Sequence, residues 1–181
     1  ANDTWQWSIM SYNDQTQYGG ASYDTPITPM MADIYAIQDT YGAPTTRSGD
    51  TVYGFHNTAG SLYDFTTYTG TPAFTIFDSG GTDTLDASGY SVAQQIDLRG
   101  GNWSSIGGET KNIAIYTSTV IENAVGGSGN DGIIGNDANN VLTGGGGNDQ
   151  LDGGLGIDTF YGGLGDDQFE VRNAADIIIE K

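Results

Sequence analysis

Toward the end of the chain a large apolar residue returns at every ninth position. Six consecutive units, GGSGNDGII, GNDANNVLT, GGGGNDQLD, GGLGIDTFY, GGLGDDQFE and VRNAADIII, fill residues 126–179 without an insertion. Their eighth positions are Ile133, Leu142, Leu151, Phe160, Phe169 and Ile178, and their sixth positions are Asp131, Asn140, Asp149, Asp158, Asp167 and Asp176. One inward apolar side chain per short unit predicts stacked strands that bury a continuous core only against their neighbours. A disordered Gly/Asn/Asp-rich linker has no reason to keep an apolar residue in that phase.

Upstream, residues 46–125 are rich in β-formers interrupted by Gly, Asp and Ser, with short candidate strands at 51–55, 73–77, 95–98, 112–116 and 120–121. Only residues 29–41 read as a helix: Thr28 can cap it, Pro29 suits its first turn, and Gly42 can end it. Met30, Ile34, Ile37 and Tyr41 fall on one helical face, which must pack against something. Residues 1–45 hold too little for a core of their own, so they read as part of a larger domain.

The charge balance narrows the possible partners. Among 181 residues there are 5 basic and 23 acidic side chains, a net charge of −18. Nucleic acid and anionic membranes are excluded as partners because both demand positive charge, whereas divalent cations would relieve the self-repulsion. There is no cysteine, so disulfides contribute nothing. No stretch of eighteen apolar residues suggests membrane insertion, and the opening ANDTWQWSIM has neither the basic nor the apolar region of a Sec signal.

Glycines at the first, second and fourth positions of four of the six units allow a tight turn in which backbone carbonyls and the Asp carboxylate converge on a hard, oxygen-seeking cation. Calcium fits such a donor set. Extracellular calcium modules bind at about 10⁻⁴ to 10⁻³ M, so these turns would load outside a cell. Two earlier stretches have the same character. Carbonyls of Arg47, Gly49 and Thr51 could share one ion with the carboxylates of Asp78 and Asp83, across the glycines Gly80 and Gly81. Glu122 is a further carboxylate candidate.

The nonapeptides resemble the RTX repeat, in which two units make one eighteen-residue coil and each ion sits between turns two units apart. This resemblance implies the pairs Asp131 with Asp149, Asn140 with Asp158, Asp149 with Asp167, and Asp158 with Asp176. It also implies ligand positions at Gly127, Gly129, Asn136, Ala138, Gly145, Gly147, Gly154, Gly156, Gly163 and Gly165. The Asn140 pair is expected to be weaker, since Asn140 is neutral and Ala138 stands where Gly is usual. In the last unit Val171 and Arg172 replace both leading glycines, which leaves open whether its turn binds an ion. The Asp149/Asp167 pair is expected to be the strongest.

Beyond the repeats, Ser8-Ile9-Met10-Ser11-Tyr12, the run MMADIYAIQDTYGAPTTRSGDTVYGF and VIENAVGGSGNDGIIGNDANNVLTGGGGND resemble the serralysin family of secreted bacterial zinc endopeptidases over nearly the whole chain. The resemblance implies that Met10 is the methionine of the Met-turn beneath the catalytic zinc. It makes Tyr12 the tyrosine that binds the metal or the reaction's oxyanion. Arg47, Gly49, Thr51, Asp78, Gly80, Gly81, Asp83, Val120 and Glu122 match the family's calcium positions ahead of the repeats, with Val120 where Thr is usual. The implied fold is mainly β. A right-handed parallel β-roll with a β-sandwich-like lead-in covers residues 46–181, and residues 1–45 keep the Met-turn and one helix of a metzincin catalytic domain. Such an enzyme needs H-E-x-x-H-x-x-G-x-x-H, with three imidazoles for zinc and a Glu as general base. This chain has one histidine, His56, which reads as a surface residue.

The resulting expectation is the C-terminal portion of a secreted zinc metalloendopeptidase, holding several Ca²⁺ ions and inactive alone. Zn²⁺ and the protein or peptide substrate would belong to the complete protease, whose N-terminal catalytic segment is the expected partner, and export would use type I secretion. The alternative is a non-enzymatic RTX module of another exported protein such as a lipase, epimerase or adhesin, which would not require the SIMSY turn or the helix. Trp5, Trp7, Tyr12, Tyr18 and Tyr23 could also form a carbohydrate-binding face, although packing is the plainer role for aromatic side chains.

Overall fold

The computed structural model describes residues 27–180. Met10, Tyr12 and the aromatic side chains at positions 5–23 lie outside the described residues. One helix, α1 (Met31–Tyr41), is followed by β1 (Val52–Gly54), β2 (Phe74–Ile76), β3 (Thr84–Asp86), β4 (Gln95–Asp97), β5 (Trp103–Ser104), β6 (Ile113–Ile115) and β7 (Asn123–Val125). The repeats then supply β8 (Gly132–Ile134), β9 (Val141–Gly146), β10 (Gln150–Asp152), β11 (Thr159–Leu164), β12 (Gln168–Glu170) and β13 (Ile177–Ile179).

Alternate units build opposite sheets. A six-stranded parallel sheet runs β1-β3-β7-β9-β11-β13, and a four-stranded parallel sheet runs β12-β10-β8-β4. Within the repeats the register pairs residues eighteen apart, for example Gln150 with Gln168 and Val141 with Thr159. Each coil is therefore two nonapeptides long. A shift of one residue would turn every inward side chain to the other face, so the apolar eighth position fixes this register.

The core consists of two columns that face each other. Tyr53, Leu85, Ala124, Leu142, Phe160 and Ile178 occupy successive rungs of one sheet. Ile96, Ile133, Leu151 and Phe169 occupy those of the other. All but Phe169 and Ile178 are at most 1% exposed. Ile178 keeps its register on the edge strand but is 45% exposed. Both columns extend upstream of the repeats, so β1, β3, β4 and β7 continue the roll with irregular spacing.

A third sheet, β2-β6-β5, flanks this stack, with β5 antiparallel to β6. Its buried side merges with an aromatic cluster in which Tyr63 meets Tyr53 and Phe74 edge-on, at 5.2 and 5.1 Å. The structure thus carries the lead-in strands expected near 51–55, 73–77, 95–98 and 112–116. The strand expected at 120–121 begins three residues later, as β7, because Val120 points outward at 47% exposure and only Ile121 is buried. β3 and β5 were not anticipated. Strands of two or three residues with a single inward side chain leave no alternation to read.

Helix α1 starts later than its sequence signals suggest. The Thr28 hydroxyl accepts from Thr75 N at 2.9 Å and so serves the third sheet, while the Asp33 carboxylate takes the Met30 N–H at 2.9 Å. Gly42 ends the helix as expected, at φ 85° with its N–H on the Gln38 carbonyl. The expected apolar face is only partly used. Met30, Met31 and Ile34 pack inward, and Tyr116 donates its hydroxyl to Gln38 at 2.9 Å, but Ile37 and Tyr41 are 48% and 84% exposed. The helix docks by its first turn against β6 and Tyr116, which leaves its later turns uncovered. No helix among the described residues is long and apolar enough to cross a membrane.

Candidate metal centre

The sixth-position side chains line the turns at the two edges of the roll, one above another. Along one edge the Asp131 N–H donates to Asp149 Oδ1 and the Asp149 N–H to Asp167 Oδ1, both at 2.8 Å. Along the other the Asn140 N–H donates to Asp158 Oδ1 at 2.8 Å and the Asp158 N–H to Asp176 Oδ1 at 2.9 Å. All four expected pairs are therefore brought together, each through one carboxylate oxygen of the later residue.

What the second oxygen does differs between turns. Asp131 Oδ2 accepts from Gly127 N at 2.6 Å. In Asp149 and Asp167 the second oxygen is buried with no hydrogen-bond partner, and the same holds for Asp83. An ionised carboxylate oxygen cut off from both water and donors is costly, by about 1–3 kcal/mol or more. Burial, reinforced by neighbouring carboxylates, pushes the carboxyls of Asp83 and Asp149 up to about 6. Burial also raises Asp131 and Asp158. A divalent cation would remove this penalty.

The other donors are backbone oxygens. Stacked turns approach so closely that a methyl group on Gly147 or Gly165 would collide with the carbonyl oxygen of Gly129 or Gly147 below. Gly145 and Gly163 lie likewise over the oxygens of Gly127 and Gly145, and Gly154 and Gly156 over those of Asn136 and Ala138. Within the repeats, positive φ is confined to the second and fourth positions of the third to fifth units, for instance 107° at Gly147. The first-position glycines have another purpose. A side chain on Gly144 or Gly153 would strike Oδ2 of that unit's own aspartate. Ala138 is accommodated because its φ is not positive. Replacing Gly147 with Ala is expected to cost about 1–3 kcal/mol through backbone strain, and more through the collision, measured as a lower thermal midpoint at saturating calcium.

Ahead of the repeats, the two stretches singled out in sequence meet. The Thr51 N–H donates to Asp83 Oδ1 and the Thr82 N–H to Asp50 Oδ1, both at 2.8 Å, while Gly81 lies against the backbone of Gly49. Asp83 N in turn donates to Glu122 Oε2 at 2.8 Å, which places Glu122 in the same group. Asp78 is buried, accepting from Gly80 N at 2.9 Å and from the Tyr53 hydroxyl at 2.5 Å. The Arg47 guanidinium stacks on Tyr63 and donates to the Phe77 carbonyl, turned toward the aromatic cluster.

Glu122, Asn136, Ala138 and Asn140 also gather, and Asn136 and Ala138 line, with Val120, a surface cavity of about 570 Å³. Here Asn140 Nδ2 donates to the Glu122 carbonyl at 2.8 Å, and Asn136 Nδ2 to the Ile121 carbonyl at 2.8 Å. Among the described residues no three His, Cys, Asp or Glu side chains converge on one point, so any ion here would depend on carbonyls for most of its ligands. His56 is exposed, and its Nδ1 lies 2.8 Å from Asp86 Oδ2.

Three contributors were not read from sequence. Gln94, fully buried, starts one ladder by donating its N–H to Asp131 Oδ1 at 2.6 Å, and nothing around it signals the role. A second ladder runs one residue upstream of the aspartates: Asn148 N donates to Asn130 Oδ1 and Asp166 N to Asn148 Oδ1, at 2.9 and 3.0 Å. The recurrent Asn-Asp dipeptide was its signal. Glu180 brings Oε2 beside Gly162, which Asp167 Oδ2 also touches.

A parallel roll with carboxylates and carbonyls stacked along its edges defines the class, a β-roll repeat domain. The chain belongs to the serralysin family: the family described as Peptidase M10 serralysin C terminal matches residues 43–180, a span that begins just after α1. It is 48% identical over 139 residues to Serralysin B of Dickeya chrysanthemi, covering 74% of this chain and 28% of that protein. To Serralysin of Proteus mirabilis it is 45% identical over 138 residues, covering 72% and 27%. To Metalloprotease AprA of Pseudomonas entomophila (strain L48) it is 45% identical over 142 residues, covering 74% and 29%. The chain thus spans less than a third of the length of these relatives.

Proposed function

We propose that this chain is the calcium-binding C-terminal portion of a secreted zinc metalloendopeptidase. It stabilises the protease and couples folding to export, through type I secretion, into a calcium-rich medium. The observation that carries this reading is the set of buried, partnerless carboxylate oxygens on Asp83, Asp149 and Asp167, each beside close-packed backbone. Their chemistry fits Ca²⁺, a hard cation that takes six to eight oxygen ligands. We divide the chain into a catalytic-domain remnant at 1–45 and the roll at 46–181.

Zinc chemistry belongs to the complete protease, where the metal would polarise a peptide carbonyl and activate water. The three histidines it needs are not available in a sequence that has one, His56, paired with Asp86. By resemblance Met10 and Tyr12 complete the floor of the cleft, and the partner is the N-terminal catalytic segment. The exposed side chains of Tyr35, Ile37 and Tyr41 on α1 support that partner, because a free-standing roll needs no such helix. Two measurements test the reading. Equilibrium dialysis should find several Ca²⁺ per chain, with at least one lost in Asp149→Asn, and the isolated chain loaded with zinc should not hydrolyse casein. Absence of calcium binding or presence of hydrolysis would overturn it.

A further inference from the structure

The sixth unit differs from the third and fifth in hydrogen bonding as well as in sequence. In the third and fifth units an aspartate oxygen is left buried and unpaired. In the sixth, both oxygens of Asp176 are occupied, Oδ1 by the Asp158 N–H at 2.9 Å and Oδ2 by the Asn173 N–H at 3.0 Å. The Asn173 side chain finishes the closure. Its Oδ1 accepts from Ala175 N at 3.1 Å, and its Nδ2 donates to the Gly156 carbonyl at 2.6 Å.

That carbonyl decides the matter. Gly156 is the fourth position of its unit, equivalent to Gly147, whose oxygen lies under Gly165 one coil later. Where the repeat is regular this oxygen stands in the turn between two stacked units, available to a cation. Between the fourth and sixth units it faces an amide N–H, a partial positive charge that would repel a metal ion at the same point. The substitution of both leading glycines agrees with this, because Val171 and Arg172 do not adopt positive φ. Arg172 instead clamps the turn from outside, with Nε and Nη2 on the two oxygens of Asp152 at 3.0 and 2.8 Å, and Nη2 on Glu170 Oε1 at 2.9 Å. Its permanent charge supplies locally what an ion supplies elsewhere.

We infer that the step between the fourth and sixth units closes without a cation, the Asn173 amide standing in the ion's place, so that Asp176 is a structural capping residue and not a calcium ligand. This rests on the reading of the other turns as calcium sites. It predicts a roll whose terminal turn is set by composition and not by calcium concentration.

The test counts bound calcium per chain on the calcium-saturated protein, by equilibrium dialysis with radiocalcium and by native mass spectrometry. Asp176→Asn and Asn173→Ala should bind as many ions as the parent, whereas Asp149→Asn should bind fewer. Asn173→Asp places an acceptor where the amide donates, opposite the Gly156 oxygen, and should gain one ion. Loss of an ion in a folded Asp176→Asn chain would overturn the inference. Should that variant fail to fold, an unchanged count in Asn173→Asp would overturn it equally. If Asp149→Asn matches the parent while Asp176→Asn loses an ion, both this inference and the assignment of the Asp149 turn fall. If only the Asp176 result is adverse, the calcium reading of the regular turns stands.

Discussion

Withdrawing calcium with EGTA is expected to abolish most of the β signal in far-ultraviolet circular dichroism, and millimolar calcium to restore it. The size of the effect follows from the three orphaned oxygens. At about 1–3 kcal/mol each, and more for a full charge, their combined penalty is comparable to the net stability of about 5–15 kcal/mol that a domain commands. The overall charge of −18 adds diffuse repulsion. In the other direction, 10 mM calcium at a dissociation constant of about 10⁻⁴ to 10⁻³ M contributes about 1.4–2.7 kcal/mol per site, so a few sites suffice to reverse the balance. Unchanged β content under chelation would sink the metal-dependence argument.

Acid should partly replace the metal. Asp83 and Asp149 titrate near 6 in the metal-free fold against 3.8 for an unperturbed aspartate. A raised folded-state value means that the folded chain holds more protons than the unfolded one between those limits. The contribution of these two carboxyls to the stability of the calcium-free chain is therefore fully present below about pH 4 and is lost as pH rises through about 6. Residual ellipticity in EGTA should accordingly be greater near pH 4.5 than at pH 7. With calcium present the sign reverses, since protons and ions compete for the same oxygens. A pH profile that is flat in EGTA would contradict the assignment.

The second large effect is expected at the core. Phe160→Ala removes a fully buried ring that stacks on Leu142 in register and meets Phe169 edge-on at 5.8 Å. Such truncations cost about 3–5 kcal/mol through lost transfer energy and an incompletely filled cavity. For a chain of this size that lowers the thermal midpoint by about 6–20 °C. Thermal unfolding at saturating calcium reads it. The deficit should persist when calcium is raised further, because the void is apolar and no ion fills it. Ile178→Ala, on the exposed edge of the same column, should cost far less, and equal losses at both positions would show that the column is not the continuous core described.

The repeats made the roll legible because one period carried two messages. The eighth position announced the core, and the sixth, with its glycines, announced the edge turns; the pairing of units two apart came from the resemblance to RTX repeats. Ahead of residue 126 that legibility fades. Leu85, Ala124 and Ile96 occupy the same columns as Leu142 and Ile133, but their spacing is irregular, so no period marks them as equivalent. Helix α1 shows a different gap. Its signals placed the helix, yet which face it buries was settled by β6 and Tyr116, far along the chain. In the metal turns, donor types were readable, whereas the distinction between an oxygen left bare, as in Asp149, and one already satisfied, as in Asp176, depends on whether a backbone N–H, here that of Asn173, turns onto it, which no motif records.

The eighteen-residue register carries a consequence for how such a molecule can change its length. Each coil meets its neighbours through equivalent rungs, so removing or duplicating one whole coil returns every later residue to the sheet and edge it already occupied. Half a coil would exchange the two sheets for everything downstream and leave Gln94 and Glu122 beneath the wrong ladders. The roll can therefore be lengthened or shortened like a screw, by full turns of the thread, and its two ends are the places where individuality can accumulate.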